Sequence, residues 1–299
     1  MGLSQGYGPA DEQQSIDTID AALDAGVDMF DTAMSYGQGR NETLVGKALG
    51  SRGSVATKFG IVRGPDGVVL DGHPGHVRRY CEESLRRLGR DVIDLYYLHR
   101  VDPAVPLEET IGAMSELVAA GLVKELGVSE VTPEQLTTAH TVHPMSAVQF
   151  EWSLMWREPE RMLIPAARRL GISLVAYSPL GRGLLTHSLS HTEVAGSAFR
   201  ANDPRFRGVH LDGNLANVER LAGLAGKKGV TPGQLALAWL LAQGDDVIAI
   251  PGTRLPARAR ENAAAADVQL SDAEAGAIGE LGTWLGDRTS FAVPVTARE

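Results

Sequence analysis

Three short apolar runs end on a charged or ring-bearing polar residue: Met29-Phe30-Asp31, Val55-Ala56-Thr57-Lys58 and Leu95-Tyr96-Tyr97-Leu98-His99. An isolated Asp, Lys or His costs several kcal/mol, roughly, in an apolar interior unless it finds a partner. Just beyond the first run, in Asp31-Thr32-Ala33-Met34-Ser35-Tyr36-Gly37, stands a tyrosine. Carboxylate, ammonium, imidazole and phenol make one coherent chemistry. A phenol with an ordinary pKa near 10 is a poor acid at neutral pH. An adjacent ammonium favours the phenolate, a carboxylate keeps that ammonium charged and fixed, and an imidazole can orient a carbonyl oxygen beside the phenol. Such a set could protonate an oxygen on which negative charge develops, as hydride transfer to a carbonyl requires.

Taken singly, each group has a plainer reading. Asp31 could cap a helix, Lys58 could lie along the surface, His99 could be a hydrogen-bonded structural histidine and Tyr36 a loop aromatic. Their combination carries the argument. Neighbouring strands lie about 4.8 Å apart, so three adjacent strand tips can gather all four groups.

The elements that must position them alternate. Helical periodicity marks 11–25, 40–50, 74–89, 106–121, 132–141, 158–170, 214–228, 231–243, 254–266 and 271–284. Thr132-Pro133-Glu134-Gln135, Thr231-Pro232-Gly233-Gln234 and Ser271-Asp272-Ala273-Glu274 carry helix-start chemistry. Between the helices lie continuous apolar runs at 27–31, 54–58, 92–98, 124–128, 146–151, 173–177 and 247–250, the pattern of parallel strands covered on both faces. This order fits a doubly wound sheet or a (β/α)8 TIM barrel. Polar residues at so many C-terminal strand tips favour the barrel, which builds its active sites there. No linker divides residues 1–299, so one domain is expected. Only seven strands are visible. Either the barrel is incomplete at its first strand, or Gly2-Leu3-Ser4 is the stub of that strand. The stretch 179–213 is long for a connection and has the position of a lid.

Composition narrows the classes. The chain has 299 residues, 28 Lys and Arg against 37 Asp and Glu, and a formal charge of −9, which disfavours a general nucleic-acid binder. No apolar stretch approaches the roughly 20 residues needed to span a bilayer, so no membrane partner is expected. The single cysteine, Cys81, precludes an intrachain disulfide; with no secretory leader visible, cytoplasmic residence is the default expectation. A GxGxxG fingerprint is absent, because Gly181-Arg182-Gly183 lacks its third glycine, and Gly39 to Gly46-Lys47 is misspaced for a P-loop. The pairs His73/His76, His140/His143 and His187/His191 lack the company of further ligands, and no metal site is expected.

Asp31-Thr32-Ala33 with Tyr36, Ala56-Thr57-Lys58-Phe59-Gly60 and Asp94-Leu95-Tyr96-Tyr97-Leu98-His99 resemble the core motifs of the aldo-keto reductases. The resemblance runs from about Gly6 to Asp267. It takes in Gly39-Arg40-Asn41-Glu42, Gly127-Val128-Ser129-Glu130, Val148 to Leu154, Ala176 to Leu184 and Ile250-Pro251-Gly252-Thr253-Arg254. It is strongest to the bacterial and plant subgroup that includes pyridoxal reductases and auxin-induced-type reductases. The resemblance implies a barrel that holds NADPH without a Rossmann fold and reduces an aldehyde or ketone. Tyr36 would be the general acid, Lys58 would depress its pKa, Asp31 would pair with Lys58, and His99 would orient the carbonyl. Ser129 and Gln149 would bond the nicotinamide carboxamide, and Tyr177 would stack under the ring. The turn Ser178, Pro179, Leu180, Gly181, Arg182 and Gly183 would follow the pyrophosphate. Gly252, Thr253, Arg254 and Arg258 would grip the 2′-phosphate, and Glu261 and Asn262 would reach the adenine.

Elementary electrostatics supports one part independently. Arg254, Arg258 and Arg260 cluster where a helix begins. Cations there oppose the helix dipole, and a phosphate held bidentately would relieve the conflict. The substrate pocket is expected to draw on Tyr7, Met34, Phe59, Trp152 and the 179–213 stretch, with a further wall from 284–299. Such walls suit an uncharged or aromatic carbonyl compound. Members of the family usually open with a hairpin and a complete first strand; here Met1 falls within the turn after that strand, the same gap that the strand count shows. Two other functions compete: a cofactor-binding regulator of the potassium-channel β-subunit type, and a barrel hydrolase, for which a second well-placed acid is lacking.

Overall fold

A computed structural model describes residues 1–4, 11–64 and 67–288. Helix α1 (Glu12–Asp24) leads to strand β1 (Met29–Asp31), α2 (Arg40–Leu49) and β2 (Ser54–Phe59). A hairpin of β3 (Ile61–Gly64) and β4 (Gly67–Leu70) then precedes α3 (Pro74–Leu88) and β5 (Ile93–Leu98). The alternation continues through α4 (Leu107–Ala119), β6 (Val123–Ser129), α5 (Pro133–Val142), β7 (Ala147–Glu151), α6 (Leu163–Arg169) and β8 (Ser173–Tyr177). Short helices α7 (His191–Ala195) and α8 (Ala198–Ala201) are followed by the long α9 (Gly208–Lys228) and α10 (Pro232–Leu241). Strand β9 (Val247–Ile250), α11 (Pro256–Ala263) and α12 (Asp272–Gly279) complete the fold.

Seven strands form one parallel sheet in the order β1-β2-β5-β6-β7-β8-β9, and helices cover its outer face. This is the (β/α)8 architecture, nearly closed. Helix α1 packs on α11 across the interval between β1 and β9, and the Thr18 hydroxyl donates to the Arg254 carbonyl at 3.0 Å. Of the two readings of the N-terminus, the strand stub fails: residues 2–4 form a turn in which Ser4 N–H bonds the Met1 carbonyl at 3.0 Å.

Strand parity sorts side chains between two cores. Val55, Phe59, Tyr96, Leu98, Leu126, Val128, Val148, Phe150 and Leu174 join the large core between sheet and helices. Ala56, Leu95, Tyr97, Ala147 and Val175 fill a small core inside the barrel. Gly127 is required there: a Cβ would lie 2.5 Å from the ring of Tyr97, its register partner on β5.

Three sequence expectations change in detail. The hairpin of β3 and β4 was not anticipated; its Arg63-Gly64 end carries no apolar pattern long enough to announce strands. The helix expected over 158–170 divides into a 3-10 turn at Glu158–Glu160 and α6, with Pro159 and Pro165 restricting the backbone. The stretch 179–213 is not a bare loop. It holds 3-10 turns at Gly181–Thr186 and Pro204–Phe206 as well as α7, α8 and the start of α9.

Candidate active site at the strand tips

The tips of β1, β2 and β5 bring the four residues together. Lys58 is wholly buried, and its ammonium contacts the Asp31 carboxylate and donates to the Thr32 carbonyl at 2.8 Å. The second Asp31 oxygen accepts from Gln149 Nε2 at 2.8 Å. Lys58 Nζ lies 5.4 Å from the centre of the Tyr36 ring, which meets the His99 ring edge-on at 5.8 Å.

These contacts rest on a buried polar layer below. The Thr32 hydroxyl bonds Asn41 Oδ1 at 2.7 Å, the Thr57 hydroxyl bonds Glu42 at 2.6 Å, and Arg87 closes on the other Glu42 oxygen at 2.6 Å. Asn41 and Glu42 of the Gly39-Arg40-Asn41-Glu42 motif thus anchor Thr32 and Thr57, the chain neighbours of Asp31 and Lys58.

Burial raises the Tyr36 phenol above its ordinary pKa, and the Lys58 charge pulls it down without overcoming burial. Lys58 acts in the expected direction, but the resting phenol keeps its proton. His99 is held well below its usual range, first by burial and then by the charges of Lys58, Arg100 and Arg63. It is therefore neutral near pH 7, and its buried Nδ1 has no hydrogen-bond partner. A buried polar atom left so marks a place where a ligand's polar atom can sit. Tyr97, buried inside the barrel 5.7 Å from Lys58 Nζ, is a further titratable neighbour. Burial, then the Asp31 charge, raises its phenol far above the usual value. The motif Tyr96-Tyr97 held both tyrosines, and only strand parity separates the inward one.

The residues expected to hold a cofactor lie at the tips of β6 to β9 and beyond. Ser129 is buried, and its hydroxyl accepts from Arg100 at 3.3 Å. Gln149 sits beside Asp31, and half-buried Tyr177 hydrogen-bonds Glu130 at 3.0 Å. Glu130, Ser178 and Arg182 adopt positive φ of 56°, 51° and 55°. Such left-handed non-glycine backbone clusters where a site is being shaped. Pro179 and Gly181 are buried, with Leu180 and Gly183 partly covered. A Cβ on Gly181 would lie 2.3 Å from Met155 Sδ.

Arg258, near the start of α11, pairs with Glu261 at 3.2 Å, and Glu261 also accepts from the Thr231 hydroxyl at 2.7 Å. Gly252, Thr253, Arg254 and Asn262 lie along the same segment, and Thr253 Oγ1 caps Leu255 N–H at 3.2 Å. The residues fit a polar ligand in one specific respect: His99 Nδ1 is buried and without a hydrogen-bond partner.

Three expected residues sit elsewhere. Phe59 is 0% exposed and stacks on Tyr96 at 5.1 Å in the outer core, because parity sends it away from the barrel when Lys58 points in. Trp152 is 1% exposed, with its indole N–H on Glu160 at 2.9 Å, so it too packs outward. Both belong to the large core between sheet and helices. The Arg182 side chain is buried against Asp203 at 2.7 Å and over the Phe199 ring at 4.6 Å, and its carbonyl accepts from Arg200 at 3.0 Å, so its guanidinium is engaged within the fold. Met34 is partly buried beside the site, and Tyr7 lies outside the described residues.

The histidine pairs have other partners. His73 caps α3, His76 bonds Asp71 at 2.9 Å, His140 accepts from Met145 N–H, His143 bonds the Pro144 carbonyl, and His187 and His191 pair with Glu219 and Asp212. Among the described residues, no group of three or more His, Cys, Asp or Glu could hold a metal, and no helix is long and apolar enough to cross a membrane.

Comparison with known proteins gives the same answer from the whole chain. The model of the Aldo/keto reductase family matches residues 1–283. A probable aldo-keto reductase 1 from Glycine max is 46% identical over 278 residues, covering 91% of this chain and 80% of that protein. The glycerol dehydrogenase of Gluconobacter oxydans superposes with a TM-score of 0.86 at 31% identity, over 94% of this chain and 89% of that one. An aldo-keto reductase from Klebsiella pneumoniae in complex with NADPH gives 0.73 at 29% identity, over 93% and 87%.

Proposed function

The chain belongs to the aldo/keto reductase family, and from that premise we propose that it reduces an aldehyde or ketone to an alcohol with NADPH, Tyr36 giving the proton. The observation that carries this reading is the gathering of Asp31, Tyr36, Lys58 and His99 around a buried imidazole nitrogen that no protein group satisfies.

When bound, a dihydronicotinamide supplies a hydride to the carbonyl carbon. The protein manages the oxygen. His99, kept neutral, can donate one N–H to the carbonyl oxygen and hold it beside the phenol. As negative charge grows on that oxygen, the Tyr36 O–H bond breaks and its proton passes to it. The Lys58 cation stabilises the tyrosinate left behind, which regains a proton from water. Asp31 keeps Lys58 charged, and burial at the barrel mouth strengthens each of these interactions. The protonated resting state of Tyr36 suits reduction, since the donor is loaded before substrate arrives. Ser129 and Gln149 supply groups for the carboxamide, Tyr177 a surface for the ring, and Arg254 and Arg258 the charge for a 2′-phosphate.

The test is Tyr36→Phe, assayed by oxidation of NADPH with a panel of aromatic and aliphatic aldehydes. Loss of a general acid lowers turnover by about 10²- to 10⁴-fold, while NADPH affinity by fluorescence titration stays unchanged. Full turnover in that variant refutes the assignment. A cofactor-binding regulator would bind NADPH and turn nothing over in the unmodified protein, so the same assay separates the two functions.

A further inference from the structure

The last described residues bring an arginine into the strand tips. Asn214 on α9 bonds Leu285 twice, through its N–H and its carbonyl, and Asn217 and Arg220 bond the carbonyls of Thr283 and Leu281. Gly286 passes so close to the chain at Arg205 that a Cβ would lie 2.8 Å from its Cα. Held in this way, the segment 281–288 places the Arg288 guanidinium over the Trp156 ring at 5.4 Å and against Glu130. Two nitrogens bind the two carboxylate oxygens, at 2.5 and 3.0 Å. The Tyr177 hydroxyl completes the group. It donates to Glu130 at 3.0 Å and accepts from Arg288 at 3.3 Å.

Glu130 is firmly placed. It sits at positive φ directly after β6, and its carboxylate also accepts the Glu151 backbone N–H at 3.2 Å. Burial alone would raise its carboxyl, but the Arg288 hydrogen bonds and the Arg100 charge outweigh burial and hold it below the usual range. The pair therefore stays ionised at neutral pH. A phenol that donates to one fixed group and accepts from another has its ring plane defined. Nothing in the proton transfer from Tyr36 uses these residues, and their spacing of 158 positions hides the pair in the sequence.

We propose that Glu130 and Arg288 are positioning residues for the cofactor, setting through the Tyr177 hydroxyl the plane of the ring against which the nicotinamide lies. This rests on the reading of Tyr177 and NADPH given above. The effect is expected at the nicotinamide end, because Arg258 on α11 pairs instead with Glu261.

The experiment titrates the full chain with NADPH and with adenosine 2′,5′-bisphosphate, which carries the phosphate end and no nicotinamide, for the wild type, Arg288→Ala, Tyr177→Phe and the double variant. Arg288→Ala is expected to weaken NADPH about fivefold, the scale of one or two lost hydrogen bonds, and to leave the bisphosphate unchanged. In the Tyr177→Phe background the same change is expected to add little. Equal weakening of both ligands, unchanged NADPH affinity, or the same loss with and without the hydroxyl each overturns the proposal. If Arg288→Ala does not fold, Glu130→Gln serves: it keeps an acceptor for Tyr177 but loses the bidentate charge pair. The same selective weakening is then expected, and none overturns the proposal. A wild type that binds the bisphosphate but not NADPH, or binds neither, defeats the cofactor reading itself, and the positioning role falls with it.

Discussion

Two groups of buried charge stand at the strand tips, and they are built in different ways. On the side of β1, β2 and β5, the Lys58–Asp31 pair stands at the tips above the separate Glu42–Arg87 pair, and His99 Nδ1 is left without a partner. On the side of β6 to β8, charges alternate in a chain: Arg182, Asp203, Arg205, Glu151, Arg288 and Glu130, linked at 2.7, 2.8, 2.6, 3.9 and 2.5 Å. That chain ties the short helices of 179–213 and the end of the described chain to the barrel. The first group leaves a buried imidazole nitrogen unsatisfied. The second is close to saturated; one Glu151 oxygen lacks a hydrogen bond but lies 3.9 Å from the Arg288 guanidinium. Incomplete pairing is what chemistry needs, and complete pairing is what holds loops in place.

Removing a charge from each side puts this contrast to its strongest test. Lys58→Met should lower turnover by about 10²-fold or more, through loss of the cation that supports the Tyr36 proton transfer. The stranded Asp31 should also cost stability, so turnover is compared at a temperature where urea titration shows the variant folded. Arg205→Met leaves Asp203 and Glu151 buried with less compensation. The cost is about 3–5 kcal/mol of unfolding free energy, read from urea titration, with kcat in the folded protein changed far less than for Lys58→Met. If Arg205→Met proves as damaging to chemistry as to stability, the division of labour is wrong.

A smaller effect probes the interior between the two sides. Gly127→Ala puts a methyl group into the ring of Tyr97, and overpacking of this kind costs about 1–3 kcal/mol. Thermal unfolding should register it. An unchanged melting temperature would show that Tyr97 has room to move.

The pH response is gentler still. The Asp203 carboxyl is held below its ordinary value: burial would raise it, but the Arg205 and Arg182 contacts win. Asp71 is likewise lowered, by Tyr80 and His76 against burial. Their folded values lie below the unfolded ones. The stability they contribute is therefore complete above the unfolded carboxylate range and lost as pH falls through it toward the folded values. Unfolding free energy should decline on the acid side below about pH 4, and Asp203→Asn should flatten that decline. His99, neutral far below its usual range, should add no limb to the kcat/KM profile near neutrality.

Much of this was legible without coordinates. Seven apolar runs named the seven strands of the sheet because a strand covered on both faces has a continuous apolar signature. The helix over 74–89 was found within a residue because His73-Pro74 and Gly89 bracket it. The four expected catalytic residues were legible because Asp31 ends β1, Lys58 lies near the end of β2, and Tyr36 and His99 come shortly after β1 and β5, so local order conveys spatial order. Phe59 and Trp152 were misplaced for the converse reason: adjacent residues on a strand or at its tip face opposite ways, and the spacing of motifs does not say which way is in. The hairpin and the charge chain were hidden for lack of any local pattern.

By itself, then, the sequence determined the alternating elements, the barrel and the residues able to donate and stabilise a proton, since these depend on periodicity and on neighbours a few positions apart. Only the tertiary structure decided which side chains enter the barrel, that burial outweighs Lys58 in setting the Tyr36 phenol, and that Arg288 meets Glu130 across 158 positions. Desolvation and long-range ion pairing exist only once the chain has closed around them.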